Sequence, residues 1–572
     1  MAPSKRSTRF CNVSKKRLAM RQLYMDSDGY STVYPDKRID QTFARACTND
    51  KAMKPSHLSL LFCLMCVVAF CGCSAPKTAA ASPNADHWQP KTPITQEVAL
   101  TTFDETWNTV EQSDVELDHG GVDWGAVKVE LRPKAMNATS REELRAILQD
   151  MLSRLKRSHF GIIPAESAAA LAKEDSPKHA DTSTSSDVDT NVPTAASALE
   201  KFGNVASEKE LPPEKSAATK PETKSKRAAE AEASFGLTLR FIEKMPTITG
   251  VRTNSPADKA GVQMGWIVKS VDGVDMGSEQ ADATDGTAKY VQELILQSVD
   301  AGEIESQETW VFQSKPGELH TTELTRARSE GISTKLGLLP PFQVRCDERV
   351  LSKKELLALG LPDDFNIVVI GFNIWMPAIA QKVDEAFQLH LNADGMVIDL
   401  RGNPGGAGGM AMGVAGHVMD EPKSLGAMRT RDTTLEFKVN PRRSTPQGER
   451  VEPFSGPVAI IMDPLSASTS EIFAGGLQKL GRARVFGRTS AGAALPAQMK
   501  SLASGDALLF AFANFTLPDG STIEGTGVLP DQPTGTHRED WIPNQDADVN
   551  AAARWITEQY QPAQSEAVRL VK

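Results

Sequence analysis

The spacing of apolar residues predicts three kinds of region along the chain. Between residues 98 and 165, FDETWNTVEQ and SREELRAILQDMLSRLKRSHF carry apolar residues three and four positions apart, which predicts helices. Ser140 with Glu143 three residues later is typical of a helix start. Over 234–333, short apolar runs between turn residues predict a compact β-rich region that includes one helix, AKYVQELILQ. Over 334–560, apolar runs alternate with helical patterns, which predicts an α/β core.

The predicted core strands are NIVVIGFNIW, GMVIDLRG, GPVAIIMD and RARVFG. Helices are predicted over 379–391, over 410–419 and from about Ser468. Between the helical and β-rich regions, residues 166–233 consist largely of Ala, Ser, Thr, Lys, Glu and Pro, and we interpret them as a disordered linker. Residues 561–572 form a C-terminal tail. The chain is therefore expected to be a multidomain α/β protein with an N-terminal helical region.

The composition argues against two classes of protein, nucleic-acid binders and polytopic membrane proteins. The 572 residues include 63 Lys and Arg against 73 Asp and Glu, a formal net charge of −10. No half of the chain is basic, so nucleic acid is not expected as a partner. The mean hydropathy of −0.31 and a single long apolar run argue against a polytopic membrane protein.

That apolar run is the centre of a predicted export signal. Residues 53–73 read MKPSHLSLLFCLMCVVAFCGC, a lysine followed by an apolar stretch too short to span a bilayer. The FCGC ending resembles a bacterial lipobox with Cys73 as the lipid-modified residue, although an ordinary signal peptide or a buried helix is the alternative. Residues 1–52 are then interpreted as an upstream extension, with Met53 as the true start, and 74–97 as a polar tether.

The remaining chain is acidic and nearly free of cysteine. Without residues 1–73 it has 51 Lys and Arg against 68 Asp and Glu, a charge of −17. Of the seven cysteines only Cys346 lies beyond position 73, so neither a disulfide framework nor a cysteine-based metal site is expected. No pair of histidines has a metal-ligand spacing, and His390 and His417 are interpreted as structural. No cofactor is expected.

Two strand-to-turn junctions are candidates for chemistry. In VIDLRGNPGGAGGM, residues 397–410, the end of a strand is followed by a turn with five glycines. Such a turn lets backbone N–H groups converge on an anion. It contains neither nucleotide-binding glycine motif. In IIMDPLSASTSEIFAGGLQ a serine-rich turn opens a helix, where N–H groups and the helix dipole favour an oxyanion. Alternatively, Ser466, Ser468 and Ser470 serve only as helix caps.

The β-rich region resembles a PDZ domain. FGLTLRF lies where a carboxylate-binding loop and its strand would be, and SPADKAGVQMGWIVKSVDG matches the turn, helix and strand that follow. The resemblance implies that the loop residues Phe235, Gly236, Leu237 and Thr238 bind the C-terminus of a peptide. The alternative is a β-rich packing domain without a ligand.

DLRGNPGG, SASTSEIFAGGLQ and GRTSAG in this order resemble the tail-specific, or C-terminal processing, serine peptidases. The resemblance implies a crotonase-like, ClpP-like α/β core with Ser468 as the nucleophile. Its oxyanion hole would use the N–H of Thr469 and one N–H from the Gly405–Gly406 turn.

The best-known branch of this family has a catalytic lysine 25 residues after the serine, where this chain has Ala493 in TSAGAAL; Lys500 lies outside the motif. A serine without a base is a poor nucleophile. LKRSHFGI instead resembles the Ser-His pair of the tricorn-type branch. That resemblance implies His159 as the base and Ser158 as a relay.

The tricorn-type branch also uses a late carboxylate to orient the histidine. Glu524 in IEGTGVLPD is the residue that fits this role, with Asp519 and Asp531 as alternatives. We therefore expect an exported, lipid-anchored serine endopeptidase that faces the periplasm. Its PDZ-like region would bind the C-terminus or an unfolded segment of a protein or peptide substrate, and its core would hydrolyse peptide bonds through a serine acyl-enzyme. The rival hypotheses are a catalytically inactive peptide-binding lipoprotein on the same fold and a structural envelope lipoprotein.

Overall fold

The computed structural model describes residues 92–165, 233–276, 286–334, 342–445, 447–542 and 545–560. Across these ranges, every helix is too short or too polar to cross a bilayer. Several sequence predictions lie wholly or almost wholly outside the described residues: the extension 1–52, the signal 53–73 with Cys73, most of the tether 74–97, the linker 166–233 and the tail 561–572.

Three helices open the described chain: α1 Gln96–Ser113, α2 Trp124–Met136 and α3 Arg141–Ser153. Ser140 caps α3, since its Oγ accepts the Glu143 N–H at 3.2 Å, as the sequence predicts. The apolar faces of the helices pack on one another and on Leu508 and Phe510. The following strand, β1 Gly161–Ile163, pairs antiparallel with residues 507–509. This pairing carries residues 158–160 from the helices onto the core.

The next region is a β-rich module. Its strands are β2 Ala233–Ser234, β3 Leu237–Ile242, β4 Met245–Val251, β5 Ile267–Val271, β6 Val274–Asp275, β7 Ala301–Gly302, β8 Gln307–Lys315, β9 Glu318–Thr325, β10 Ala327–Arg328 and β11 Ile332–Thr334. Its helices are α4 Pro256–Lys259 and α5 Gly286–Ser298. The main sheet has the order β3-β4-β5-β8-β9, with β6 paired to β5. Strand β3 is therefore an edge strand, and α5 lies beside it.

The rest of the chain is an α/β core. Its strands are β12 Phe342–Val344, β13 Cys346–Val350, β14 Ile367–Phe372, β15 Gly395–Asp399, β16 Lys423–Arg429, β17 Thr434–Val439, β18 Val458–Met462, β19 Arg484–Gly487, β20 Ala497–Ser501, β21 Ala507–Ala511, β22 Asn514–Thr516 and β23 Gln532–Pro533. Its α-helices are α6 Lys353–Ala358, α7 Ala380–Leu389, α8 Gly409–Ala415, α9 Thr469–Lys479 and α10 Ala547–Glu558.

The central sheet of this core has the order β13-β14-β15-β18-β19-β23. Its strands are parallel except β13, which is antiparallel to β14. Along β14, Val368 and Ile370 belong to one apolar cluster while Ile367 and Val369 belong to another, so both faces of the sheet are buried. The predicted mixed α/β fold is thus confirmed. The PDZ-like and crotonase-like assignments stay predictions.

The sheet order brings the two candidate turns together. Strands β15 and β18 are parallel neighbours. The glycine-rich turn follows β15 and the serine-rich turn follows β18, so both lie at the carboxyl edge of the sheet, where sites form in α/β proteins.

Candidate active site

Ser468 lies between β18 and α9 in a turn with an unusual backbone. Its φ of 54° and ψ of −118° are rare for a residue that has a side chain. The N–H of Ser468 donates to Ala493 O at 2.8 Å and to Glu471 Oε2 at 2.9 Å. These two acceptors hold the turn in a conformation that would otherwise be unfavourable.

The two neighbouring serines of the motif are buried and bonded internally. Ser466 Oγ donates to Leu400 O at 2.8 Å. Ser470 Oγ donates to Asn403 O at 3.0 Å and accepts from Trp375 Nε1 at 2.9 Å. Because these contacts tie the serine turn to the glycine turn, Ser466 and Ser470 have a structural role.

Glu471 is a fully buried carboxylate that organises this region. Besides the Ser468 N–H, it accepts hydrogen bonds from Ser490 Oγ at 2.6 Å, from the Gly492 N–H at 2.7 Å and from the Ala493 N–H at 3.0 Å. Burial raises its pKa to about 7, and the four donors act against that rise. One side chain thus fixes both the Ser468 turn and the segment that faces it.

We expect Glu471→Gln to lower kcat about 100-fold, because the Ser468 turn would lose its fixed position. Each carboxylate oxygen of Glu471 accepts two hydrogen bonds. Whichever oxygen the amide NH2 of glutamine replaces, two donors would lose their acceptor. Each buried donor left without an acceptor costs about 1–3 kcal/mol of unfolding free energy. Thermal unfolding and peptide turnover measure the effect. The exposed Glu558→Gln is the control, and an unchanged melting temperature and kcat in Glu471→Gln would contradict this role.

The glycine turn lies directly against Ser468. Gly405 has φ +102°, and a Cβ added there would lie 2.6 Å from the Cβ of Ser468. Gly406 has φ +134°, and a Cβ there would lie 2.3 Å from Trp375 O. These two positions therefore require glycine.

The same turn presents backbone donors beside the serine. The Gly405 N–H donates to Asn403 Oδ1 at 3.0 Å. Among the described residues, the Gly406 N–H has no acceptor, and Thr469 is the first residue of α9, whose N–H has no partner within the helix. Thr469 Oγ1 donates to Gly406 O at 3.1 Å and links the two turns. Gly406 and Thr469 are thus the donors available for an oxyanion.

Ser158, His159 and Glu524 form one hydrogen-bonded group. Glu524 Oε1 accepts the Ser158 N–H at 2.7 Å, and Glu524 Oε2 accepts the Ser158 hydroxyl at 2.9 Å. Ser158 Oγ lies 2.6 Å from His159 Nδ1. Glu524 Oε2 also accepts the Ala494 N–H at 3.1 Å, next to the Ala493 carbonyl that binds Ser468. The group therefore lies beside the Ser468 turn.

Burial determines the electrostatics of this group. It lowers the pKa of His159 well below 6.5 and raises the pKa of Glu524. His159 also has a positive φ of 65°. The histidine is thus a neutral imidazole at pH 7.

A partly buried ion pair supports the turn that carries Ser158. Arg157 Nη1 donates to Asp114 Oδ1 at 2.9 Å, and His119 Nδ1 lies 2.9 Å from Asp114 Oδ2. Asp114 follows α1 directly. The helices thereby anchor the segment that reaches the core.

The other bases considered from the sequence lie elsewhere. Ala493 is buried, and Lys500 Nζ donates to Thr109 Oγ1 at 3.0 Å. Asp519 is paired with a surface lysine at 2.8 Å. Asp531 accepts a backbone N–H of β19 at 2.8 Å. Of the three carboxylates considered, Glu524 is the one that contacts Ser158.

The two histidines interpreted as structural lie in side-chain pairs. His417 Nε2 is 2.7 Å from Asp384 Oδ1, and His390 Nε2 is 3.5 Å from Glu348 Oε2. In the part of the chain that the structure describes, no group of three or more His, Cys, Asp or Glu could hold a metal ion.

The predicted peptide-binding loop has an internal acceptor. The N–H groups of Phe235 and Leu237 donate to Asp300 Oδ1 at 3.1 Å and 2.8 Å. Gly236 has φ +85°, and a Cβ there would lie 2.3 Å from the Cβ of Ser255. Thr238 continues into β3. Two of the donors that the resemblance assigns to a peptide carboxylate, the N–H groups of Phe235 and Leu237, are therefore engaged by a side chain of the protein itself, which the sequence analysis did not anticipate.

Comparison with known proteins is consistent with the site. Residues 366–534 match Peptidase family S41, and residues 99–153 match the Tricorn protease C1 domain. A CtpA-like serine protease of Staphylococcus haemolyticus is 25% identical over 318 residues, 55% of this chain and 55% of that protein. A carboxyl-terminal-processing protease of Synechocystis sp. is 28% identical over 140 residues, 24% of this chain and 31% of that protein. These matches confirm the resemblance drawn from the motifs.

Among solved structures, the photosystem II D1 C-terminal processing protease aligns with a TM-score of 0.46 and 17% identity, covering 78% of this chain and 95% of that one. The alignments span about half or less of the length of the two curated relatives.

Several residues of the site were missed by sequence reasoning. Glu471 stands three residues after Ser468, the spacing of a capping box, and this was its available signal. Asn403 lies in the predicted glycine turn but had no assigned role. Asp114 and Asp300 carry no local signal for these roles, because the contacts with Arg157 and Leu237 join residues more than 40 positions apart.

Proposed function

Because residues 366–534 match peptidase family S41 and residues 99–153 match the Tricorn protease C1 domain, we propose that this protein is a serine peptidase. It hydrolyses peptide bonds of protein substrates through an acyl-enzyme. The observation that carries the proposal is the hydrogen-bonded series from Glu524 through Ser158 to His159, beside the Ser468 turn. This series supplies a base and an orienting carboxylate, and Ser468 supplies the nucleophile that serine hydrolysis requires.

The direction of the hydrogen bonds supports His159 as the base. The one hydroxyl proton of Ser158 is donated to Glu524, so Ser158 Oγ accepts from His159 Nδ1–H. Nε2 then carries the lone pair. As Ser468 Oγ forms a bond to the scissile carbonyl carbon, Nε2 takes the hydroxyl proton, and the Ser158–Glu524 pair stabilises the resulting imidazolium.

The remaining steps complete the cycle. The N–H groups of Thr469 and Gly406 stabilise the negative charge on the former carbonyl oxygen. The C–N bond breaks as Nε2–H donates its proton to the leaving amine. Water then attacks the acyl-enzyme, His159 accepts its proton, and cleavage of the ester returns a proton to Ser468.

We expect activity to persist to lower pH than an ordinary histidine would allow. Because burial lowers the pKa of His159 below 6.5, the base stays neutral as the pH falls through 6.5. The acid limb of kcat/KM therefore has its midpoint below pH 6.5. Below pH 6.5 the imidazole of residue 159 is protonated in the unfolded chain and still neutral in the folded protein. The free energy of unfolding therefore decreases as the pH is lowered. A pH profile of kcat/KM and of chemical unfolding, with His159→Gln as the unfolding control, measures both. A midpoint above pH 6.5 would contradict the assignment.

We further propose that the protein is exported and lipid-anchored at Cys73, which rests on the sequence pattern of residues 53–73. Cells fed labelled palmitate should incorporate label into the wild type and not into Cys73→Ser. Label in both, or in neither, would contradict it.

The proposed activity is tested by treating the full chain with a fluorophosphonate, which labels activated serines, and by digesting unfolded casein. We expect one label per chain, on the tryptic peptide that contains Ser468, and casein cleavage that labelling abolishes. Absence of both labelling and cleavage would overturn the proposal and favour the inactive peptide-binding rival, which the buried Ala493 in place of a lysine motivates.

A further inference from the structure

The edge strand of the β-rich module is already satisfied by side chains. Strand β3 is the first strand of its sheet and would be free to accept a peptide as an added strand. Yet the Leu239 N–H donates to Gln297 Oε1 at 3.0 Å, and the Phe241 N–H donates to Glu293 Oε2 at 3.1 Å. Gln297 Nε2 donates back to Leu237 O at 3.0 Å. Two side chains of α5 thus occupy the positions that a peptide backbone would take.

Asp300 completes this arrangement at the start of the strand. Its Oδ1 accepts the N–H groups of Phe235 and Leu237, as a terminal carboxylate of a bound peptide would. The side chain is buried, and burial raises its pKa to about 6, so it is ionised at pH 7.5. A second carboxylate at this place would meet both an occupied site and a like charge.

Arg252 and Arg326 partly compensate the negative charge of Asp300, since both lower its pKa against the larger effect of burial. Arg326 forms a buried ion pair with Glu308 at 2.9 Å. Arg240 forms a buried ion pair with Asp463 of the core at 2.6 Å. Arg326 and Arg240 thus each form their ion pair with a carboxylate other than Asp300.

Helix α5 is also fixed on its other side. Tyr290 and Leu294 pack with Leu465, Ala467 and Ala493 around the Ser468 turn. Because α5 is packed between β3 and these residues, it cannot leave β3 without disturbing the apolar packing, so the occupied edge is the stable arrangement.

We propose that Asp300 is an internal substitute for a peptide terminal carboxylate, and that the protein therefore takes internal segments of unfolded polypeptides rather than free C-termini as substrates. The substrate class rests on the proposed peptidase function. It differs from the role that the PDZ resemblance gives to Phe235, Gly236, Leu237 and Thr238.

The test compares two fluorogenic peptides of identical sequence, one with a free C-terminal carboxylate and one with a C-terminal amide, at pH 7.5. For the wild type we expect kcat/KM values that agree within about twofold. A preference of tenfold or more for the free acid would overturn the proposal. Asp300→Ala removes the Oδ1 acceptor of both N–H groups, which frees the Leu237 N–H and leaves the Phe235 N–H only the carbonyl oxygen of residue 300 at 3.3 Å. This variant should have a preference of about tenfold for the free acid. Equal rates in that variant would overturn the role given to Asp300.

Two further measurements keep the outcome clear. The exposed Glu303→Ala removes a nearby acidic side chain and should leave the ratio unchanged. If Asp300→Ala does not fold, the wild-type ratio decides alone. If the wild type cleaves neither peptide, the peptidase proposal fails, and fluorescence anisotropy of the same labelled peptides tests Asp300. Affinities equal within twofold would support its role, and tenfold tighter binding of the acid would refute it.

Discussion

Ser468→Ala is expected to lower kcat by about 10⁴- to 10⁶-fold, since loss of the nucleophile of a serine hydrolase removes the acyl-enzyme route entirely. KM should change little, because substrate contacts with the rest of the site remain. The folded structure should persist, since the N–H of residue 468 still has the Glu471 and Ala493 acceptors. Steady-state kinetics on a fluorogenic peptide, with thermal unfolding alongside, provide the measurement.

Ser468→Gly serves as the matched variant for the strained backbone. Glycine adopts the φ of 54° without strain, so this variant should be as inactive as Ser468→Ala yet more stable, by about 1 kcal/mol. Retention of more than a tenth of wild-type kcat in either variant would show that another residue is the nucleophile.

His159→Ala is expected to lower kcat by about 10⁴-fold, with KM within about threefold of wild type. Without the imidazole, no group takes the hydroxyl proton of Ser468, since Ala493 stands where a lysine could act and Lys500 is bonded to Thr109. Added imidazole should restore part of the lost rate, because it can enter the space of the missing ring.

The exposed His537→Ala is the control for a general effect of losing a histidine, since its ring is paired with Glu243 at the surface. The kcat of Ser158→Ala should lie between those of His159→Ala and His537→Ala, because this variant keeps the histidine base and loses only the group that orients it. Wild-type kcat in His159→Ala would remove the histidine from the mechanism, even if Ser468 stays essential.

Periodicity predicted the parts of this fold that are long and buried. NIVVIGFNIW, GMVIDLRG, GPVAIIMD and RARVFG correspond to β14, β15, β18 and β19, and the predicted helix near Ser468 is α9. These segments have a strong local signal, since every strand is apolar on both faces. The short helix α8 ends at Ala415, earlier than predicted, at a position where Gly416 forms the cap.

Contacts between distant segments escaped prediction. Strand β17, TLEFKV, was not predicted although its polar and apolar residues alternate. Strand β20 is partly exposed and β21 is a short buried run, yet β21 is what holds β1 and therefore Ser158 near the core. The hydrogen bond from Ser158 to Glu524 joins residues 366 positions apart, and the one from Leu237 to Asp300 joins residues 63 positions apart. A pattern within one window carries no information about such pairs, so motif resemblance identified Ser158, His159 and Glu524 where periodicity could not.

The distance along the chain between Ser158 and Glu524 has a consequence for biosynthesis. A ribosome synthesises His159 early and Ser468 much later. Glu524, the carboxylate that orients the base, follows its hydrogen-bond partner Ser158 by 366 residues. Strand β1 also has no pairing partner until residues 507–509 emerge. In the proposed mechanism every nascent chain that lacks Glu524 is therefore inert, and proteolytic activity begins when synthesis is nearly finished.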